Sequence, residues 1–292
     1  MSELALYRRF FADEIAAVAA ISTTMLVDAL AEVPRERFLG PGPWLVRGDG
    51  DMFTGARRTP DDDPRRVYHN YSIAIDPARQ LFNGSPGFLA ALIDRLSLLP
   101  GARVLHVGAG LGYYSAVIGH TVGSSGRVVA IEVDEALARE ARTNLAWLPW
   151  VDVRPGDGKG PFDGPFDAIL VNAGVTHPQA AWLDALAPGG RVILPLTVSM
   201  TQMGTIGKGV VILVRRDPGD MWPVTVLSPV AIYSGIGLRD DTLNVALGQA
   251  LRRSFVPAVR HLRRDAHAPD ARCWLHGSTF CLSLADPSLC RK

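Results

Sequence analysis

The sequence is poor in cysteine: its 292 residues include only three, Cys273, Cys281 and Cys290, all within the last twenty positions. An odd number of cysteines without paired spacing predicts reduced thiols, which are typical of cytoplasmic proteins. Cys273, His276 and Cys281 match no compact zinc-binding spacing, and a fourth ligand is not obvious. We therefore predict a cytoplasmic protein with no metal site.

The sequence also lacks a long apolar run and an excess of charge of either sign. No apolar stretch reaches the ~18–20 residues that a membrane-spanning helix needs. The apolar segment 15–27 follows Arg8 and Arg9 as in a signal peptide, but Asp13 and Glu14 interrupt it, and its period predicts a surface helix. With a formal net charge of +1, we expect neither nucleic acid nor a membrane as partner.

Apolar runs and helical patterns alternate through the middle of the chain, beginning with a helix that starts near Pro86. Strands are predicted at residues 103–107, 127–131, 151–154, 166–171 and 191–196. Strands that alternate with helices over short turns form parallel sheets covered on both faces. The sequence therefore predicts an α/β fold with a doubly wound, mostly parallel sheet.

The pattern differs before and after this region. Residues 1–40 are predicted to be helical, and residues 41–66, rich in Pro, Gly and Asp, to be a loop. Strands without intervening helices follow residue 196, then a helix near 242–256 and a strand pair near 273–284. We predict three segments: an N-terminal helical and substrate-loop segment (1–85), a cofactor-binding core (86–235) and a C-terminal α+β extension (236–292).

Three glycines follow the first strand of this core, at Gly108, Gly110 and Gly112. The dinucleotide fingerprint is G-x-G-x-x-G, and the third glycine here comes one place early, which weighs against a pyrophosphate-binding loop. Glu132 ends the next strand, where a carboxylate can accept hydrogen bonds from both ribose hydroxyls. Its alternative role is that of an acid at a helix N-terminus, which Asp134 and Glu135 already fill.

A third feature follows the third strand, in the segment "RPGDGKG". Asp157 there either accepts a hydrogen bond from an adenine amino group or caps a turn. Together with the glycines and Glu132, it predicts an adenosine group held by the first three strands of the core.

These stretches resemble the class I S-adenosylmethionine-dependent methyltransferases, and among them the protein-L-isoaspartate O-methyltransferases. The matching stretches, in the family's order, are "AEVPRERFLG", "VLHVGAGLGYYSAVIG", "GRVVAIEVD", "VRPGDGKG", "GPFDAILVNAG" and "LAPGGRVILPL". The resemblance implies a Rossmann-like methyltransferase fold with a seven-stranded sheet and S-adenosylmethionine as cofactor, with S-adenosylhomocysteine as product. It implies that cofactor contacts come from His106, Gly108, Ala109, Gly110, Gly112, Tyr113, Glu132, Val133, Asp157, Gly158, Asn172 and Ala173, the last two near the sulfonium.

His106 departs from the family, which usually has an acidic residue there to hold the cofactor's ammonium group. A neutral histidine accepts one hydrogen bond, whereas a protonated one would repel the ammonium. Either water or another acid takes that role, or cofactor affinity depends on pH. Alternatively, His106 is a strand residue packed between helices.

The substrate loop departs as well. The family has Gln-Thr-Ile-Ser-x-Pro, whose serine lies at the substrate carboxyl, whereas this chain has one extra residue between Gln80 and Pro86. Ser85 in a shifted loop and Asn83 are the two candidate catalytic residues at that carboxyl, unless the pocket has changed its substrate. Ser85 is also a candidate N-cap for the helix that begins at Pro86.

The implied activity is methyl transfer to a carboxylate of a peptide or protein, such as an isoaspartyl residue. That carboxylate is ionised at pH 7, with a pKa of about 4, so catalysis needs alignment rather than a general base. The alternatives are a methyltransferase for a small molecule or a modified peptide, and a cofactor-binding homologue without turnover. The sequence predicts no oligomeric state.

Overall fold

The structure is a computed structural model that describes residues 2–48, 55–199 and 205–284. It comprises two compact units, one of Met1–Ala102 and Ala109–Pro155, the other of Arg103–Gly108 and Gly156–Lys292. The α-helices are α1 (Glu3–Ala19), α2 (Thr24–Glu32), α3 (Pro86–Arg95), α4 (Tyr113–Val122), α5 (Glu135–Asn144), α6 (Ala180–Asp184) and α7 (Asp241–Arg253). The strands are β1 (Leu45–Arg47), β2 (Arg57–Arg58), β3 (Ser72–Asp76), β4 (Leu81–Phe82), β5 (Arg103–Val107), β6 (Arg127–Glu132), β7 (Val151–Pro155), β8 (Phe166–Val171), β9 (Leu186–Ser199), β10 (Ile206–Arg215), β11 (Met221–Tyr233), β12 (His261–Arg263), β13 (Cys273–His276) and β14 (Cys281–Ser283).

The first unit contains helices α1 to α5 and two groups of strands. An antiparallel sheet has the order β2-β1-β3-β4, and β6 pairs with β7 in parallel. The prediction of a loop over residues 41–66 is wrong for β1 and β2. Their pairing supplies the reason: Val46 lies between Arg57 and Ile73 in the ladder, and partners so distant in sequence leave no periodic pattern. Residues 49–54 of that predicted loop lie outside the described residues.

The helical start of the chain is confirmed, and the segment that resembles a signal peptide forms the last turn of α1, the short connection to α2 and the first turn of α2. The side of α1 that carries Phe11, Ala12 and Ile15 is fully buried, as expected for an amphipathic surface helix. Pro34 lies just after the end of α2 and precedes a 3-10 helix at Arg35–Phe38.

The second unit contains one sheet whose strands follow the order β13-β14-β12-β11-β10-β9-β8-β5. Strands β5, β8 and β9 are parallel, and the pairs from β9 outward to β13 are antiparallel. The described residues of this unit alone form eight strands, so the predicted count of seven is not confirmed. The predicted C-terminal strand pair is confirmed as β13 and β14, and with α7 it gives the extension its α+β character.

The parallel strands place the candidate residues at their carboxyl ends. In β5 and β8, Val104, Leu105, Ile169 and Leu170 are fully buried, which is typical of parallel strands covered on both faces. Each of these strands ends where its apolar run ends, and ligands of open α/β sheets bind at that edge. No helix in the described part of the chain has the length and apolarity that a membrane span requires. The predicted division into three segments stays a prediction.

Candidate active site

In the first unit, the tight turn that precedes α4 is hydrogen-bonded to the end of β6. The Ala109 amide donates to the Ile131 carbonyl over 3.1 Å, and the Gly112 amide donates to the Ala109 carbonyl over 3.0 Å. Gly112 has φ of +95°, and a Cβ there would lie 2.7 Å from Leu145 Cδ1. Only glycine meets both conditions without strain, so this glycine is required by the turn itself.

Glu132, the last residue of β6, is hydrogen-bonded to that turn. One carboxylate oxygen, Oε2, accepts from the Gly110 amide at 2.7 Å, and Oε1 accepts from the Asp134 amide at 3.0 Å. Glu132 is only 7% exposed. An ionised carboxylate has about four acceptor positions, so two remain available. This pattern suits a pair of neighbouring hydroxyls, such as those of a ribose.

Asp134, rather than Glu132, caps the N-terminus of α5. The Asp134 Oδ1 atom accepts from the amides of Ala136 and Leu137 at the start of α5, at 2.9 and 3.0 Å. Asp134 is therefore the N-cap of α5, and Glu132 has different hydrogen-bond partners. Val133, between them, is exposed, which leaves its predicted role as a cofactor contact untested.

Tyr113 begins α4 and is packed among rings. Its ring centroid lies 5.7 Å from that of Phe38 and 5.0 Å from that of Tyr114. Its hydroxyl is buried and has no hydrogen-bond partner among the described residues, and burial raises the pKa of Tyr113 to about 12. These contacts give the ring a packing role, and its predicted cofactor contact stays a prediction.

In the second unit, the end of β5 meets the end of β8. The Asn172 amide donates to the Val107 carbonyl over 2.8 Å. Gly108 has φ of +83°, and a Cβ there would lie 2.9 Å from the Asn172 carbonyl oxygen and 3.7 Å from Ala173 Cβ. Three of the predicted site residues, Gly108, Asn172 and Ala173, are therefore in direct contact because position 108 has no side chain.

Asp157 and Gly158 form a turn that packs on β5. The Asp157 Oδ1 atom accepts from the Lys159 amide at 3.0 Å, so the turn-capping role is confirmed. A Cβ at Gly158 would lie 2.6 Å from Val107 Cγ1, and Trp182 donates from Nε1 to the Gly158 carbonyl over 2.8 Å. The Asp157 side chain is 45% exposed, and its second role towards adenine stays a prediction.

The segment between β11 and α7 approaches two of these positions, an approach that the sequence analysis did not predict. A Cβ at Gly235 would lie 3.3 Å from Ala173 Cβ, and one at Gly237 would lie 3.0 Å from Asp157 Oδ2. The two glycines flank Ile236, which is 68% exposed. The available signal was the glycine spacing in "SGIGLRDD", which suggests a close backbone approach.

His106 is completely buried on β5, opposite Leu170 of β8. Burial lowers the pKa of His106 to about 4, so the imidazole is neutral at pH 7. Its predicted contact with the cofactor is untested, but the alternative in which a protonated His106 repels an ammonium group near neutral pH loses its basis.

The predicted N-cap position of Ser85 is confirmed, but its side chain does not cap the helix. Ser85 lies at the N-cap position of α3 without making a capping bond, because its hydroxyl donates to Asn70 Oδ1 over 3.0 Å. The same oxygen accepts from the Gly87 amide at 2.9 Å, so Asn70 caps the helix. Since Oδ1 is fixed by two donors, the Asn70 Nδ2 group is the donor that remains.

Asn83, the other candidate at the substrate carboxyl, makes two hydrogen bonds within the antiparallel sheet. Its Oδ1 atom accepts from the Ile73 amide at 2.7 Å, and its own amide donates to the Ile73 carbonyl over 2.9 Å. Asn83 thus continues the pairing of β3 beyond β4, which gives it a structural role beside the untested catalytic one.

A buried arginine from the "VPRERF" stretch holds the segment that carries Asn70. Arg35 is fully buried and donates to the carbonyls of Val67, His69 and Tyr71 over 2.7, 3.0 and 2.8 Å. Hydrogen bonds of a charged donor are the strong ones, so this segment is fixed on either side of Asn70. The motif therefore positions the residue that holds Ser85.

Comparisons with known proteins identify the family. The profile of the family described as Protein-L-isoaspartate(D-aspartate) O-methyltransferase (PCMT) matches residues 59–209. The protein-L-isoaspartate O-methyltransferase of Aeropyrum pernix is 32% identical over 64% of this chain, and the match spans 65% of that relative's length. That of Methylorubrum extorquens is 32% identical over 75% of this chain and 85% of the relative.

A solved Plasmodium falciparum structure, titled as a protein-L-isoaspartate O-methyltransferase in complex with S-adenosyl-L-homocysteine, has a TM-score of 0.58 at 16% identity, covering 78% of this chain and 97% of its own. That likeness confirms the Rossmann-like methyltransferase fold. The family profile covers more than half of the chain and confirms the resemblance found in the sequence. This chain belongs to the protein-L-isoaspartate(D-aspartate) O-methyltransferase family.

Proposed function

We propose that the protein transfers the methyl group of S-adenosylmethionine to the carboxylate of an isoaspartyl residue in a peptide or protein. The observation that carries this proposal is the 2.7 Å bond from the Gly110 amide to Glu132 Oε2. It holds a buried carboxylate at the glycine turn with two acceptor positions to spare, and family membership supplies the reaction class.

The residues present fit the cofactor. In the first unit, Glu132 would bind the two ribose hydroxyls with its remaining acceptor positions, and Ala109, Gly110 and Gly112 would lie beside it in the turn. In the second unit, Asp157 and Gly158 would contact adenine, and His106, Asn172 and Ala173 would contact the methionine end. When bound, the cofactor supplies a methyl group on a sulfonium, which is a good leaving group.

The acceptor carboxylate needs orientation, because it is ionised at neutral pH with a pKa of about 4. The Asn70 Nδ2 group would donate to it, and the Ser85 hydroxyl would do so by turning its one proton from Asn70 Oδ1 to the acceptor carboxylate. Both donors are neutral, so they align the carboxylate without offsetting the charge that makes it a nucleophile. Alignment of this kind is worth up to ~7–11 kcal/mol of the barrier.

The test uses S-adenosylmethionine with a labelled methyl group and an isoaspartyl peptide beside its aspartyl twin. We expect base-labile label on the isoaspartyl peptide alone. Ser85→Ala should raise KM for that peptide while the affinity for S-adenosylhomocysteine is unchanged. Asn83→Ala, its matched comparison in the same loop, should lower thermal stability with little change in KM.

A modified peptide or a small-molecule carboxylate is the second candidate acceptor. It is favoured by the approach of Gly235 to Ala173 and of Gly237 to Asp157, since this segment lies outside residues 59–209, which the family profile matches. Tight binding of S-adenosylhomocysteine with no label on either peptide would favour this candidate. A protein or peptide substrate and a cytoplasmic location remain our expectation.

A further inference from the structure

Four sulfur and nitrogen donors converge in the C-terminal extension, remote in sequence from the residues assigned to methyl transfer. His267, Cys273, His276 and Cys281 each offer one ligand atom, and these four atoms all lie within 4.8 Å of one another. We propose that these residues form a structural zinc site. Two thiolates and two imidazoles in a tetrahedral set are the donors that zinc prefers.

A β-bulge brings three of these side chains to one face of the sheet. In a regular strand, residues 273 and 276 would point to opposite faces, because side chains alternate. The pairing of β13 with β14 shifts register between Cys273 and Leu275, and a bulge adds one residue and re-aims the side chains beyond it. His276 then lies opposite Cys281, and Cys273 lies opposite Ser283, so all three donors share a face.

The fourth donor comes from the loop between β12 and β13 with its ring already oriented. The Nδ1 atom of His267 lies 2.9 Å from the Asp265 carbonyl oxygen, which can only accept, so the proton is on Nδ1. The Nε2 atom is therefore the lone-pair nitrogen, and it lies 3.7 Å from Cys273 Sγ. Metal-binding histidines usually donate their other nitrogen to a carbonyl or carboxylate in this way.

The positions of the other three donors also suit metal binding, although burial raises the pKa of the Cys281 thiol to about 12, so that zinc has to displace its proton. The Nδ1 atom of His276 is buried and has no hydrogen-bond partner among the described residues. Cys281 is completely buried, and Cys273 Sγ accepts from the Asp270 amide at 3.4 Å and lies 3.7 Å from Asp270 Oδ1. Both cysteines are free thiols.

The dimensions agree with zinc after a small contraction. Zn–S bonds of about 2.3 Å and Zn–N bonds of about 2.0–2.1 Å place tetrahedral ligand atoms about 3.3–3.8 Å apart. The observed sulfur-to-nitrogen distance of 3.7 Å between Cys273 and His267 lies in this range. Four protein ligands leave no open position, which marks a structural rather than a catalytic site. A Cys273–Cys281 disulfide would account for the thiols but not for the two converging imidazoles.

The test uses the full chain without a histidine tag, purified under reducing conditions and then given Zn²⁺ or Co²⁺. After removal of excess metal, we expect one bound ion per chain, and the Co²⁺ form should show the absorption of a tetrahedral site with thiolate ligands. His267→Gln, Cys273→Ser and His276→Gln should each weaken zinc binding by at least about a hundredfold, more than loss of an outer-shell partner does. Methyl transfer is not part of this readout, so its result is independent of the proposed function.

Two variants serve as matched controls. His120→Gln removes a half-buried imidazole that packs beside Trp147, and Cys290→Ser removes the thiol that lies outside the described residues. Both should keep one zinc per chain, and metal loss in either would overturn the assignment. Absence of bound metal in the reduced wild-type chain, octahedral Co²⁺ absorption, or a Cys273–Cys281 disulfide in the non-reduced protein would also overturn it. The wild-type measurements decide the matter even if a ligand variant fails to fold.

Discussion

Replacement of Glu132 by alanine tests the ribose assignment most directly. The carboxylate has about four acceptor positions, of which the amides of Gly110 and Asp134 occupy two. The remaining two would bind the ribose hydroxyls, and hydrogen bonds to a charged group contribute about 1.5–3 kcal/mol each. Their loss adds to about 3–6 kcal/mol, so we expect Glu132→Ala to weaken S-adenosylhomocysteine binding by at least about a hundredfold.

Calorimetric titration with S-adenosylhomocysteine measures that change, at a temperature where thermal melts show both proteins folded. Asp134→Ala is the matched control, because it removes the N-cap of α5 at a cost of about 0.5–2 kcal/mol in stability but leaves the Glu132 carboxylate. We expect it to melt earlier and to bind the product normally. An affinity of Glu132→Ala within threefold of the wild type would refute the assignment of Glu132 to the ribose.

Three further changes test the framework of the site. Arg35→Met should lower the free energy of unfolding by about 3–5 kcal/mol in denaturant titrations, since three carbonyls lose a charged donor; a loss below 1 kcal/mol would contradict this. Gly112→Ala should cost more in thermal melts than Gly123→Ala, because both have positive φ but a Cβ at Gly123 meets nothing within 4 Å; equal losses would argue against the contact with Leu145. The pKa of His106 is about 4 in the folded protein, below its reference value of 6.5, so between these pH values the unfolded chain binds more protons than the folded one. The free energy of unfolding should therefore fall by up to about 3 kcal/mol as the pH drops from about 6.5 to 4. His106→Gln should lose less stability over that window in urea titrations, and an unchanged pH profile would count against the buried neutral state.

The parallel strands of the fold were the part most open to prediction. The predicted bounds 103–107 and 166–171 are those of β5 and β8, because strands buried on both faces form continuous apolar runs between turns. Strand β2, by contrast, consists of two exposed arginines, Arg57 and Arg58. Its partner in β1 determines it, so no local pattern could have indicated it.

The site was predictable where a residue's place follows from the end of a strand, and not where it depends on side-chain partners. Glu132 was singled out as a candidate because it ends β6. Asn70 was not identified as the cap of α3, because it lies 17 residues before Gly87, whose amide donates a hydrogen bond to it. His267 was not recognised as the fourth member of the proposed zinc site for a related reason. It lies in a loop, and the bulge that aligns Cys273 with His276 is a property of strand pairing.

The position of Ser85 illustrates how a loop can tolerate an insertion. The extra residue of this chain lies between Gln80 and Pro86, which would move a serine that was held only from the strand side. Ser85 is held from the helix side instead, because Asn70 binds both its hydroxyl and the Gly87 amide. An added residue upstream leaves that arrangement unchanged, whereas Asn83 is fixed to β3 by two bonds to Ile73. Ser85 can therefore turn its hydroxyl from Asn70 to the acceptor carboxylate without breaking a bond of the sheet. Asn83 could contact that carboxylate through Oδ1 or its own amide only by giving up a bond to Ile73.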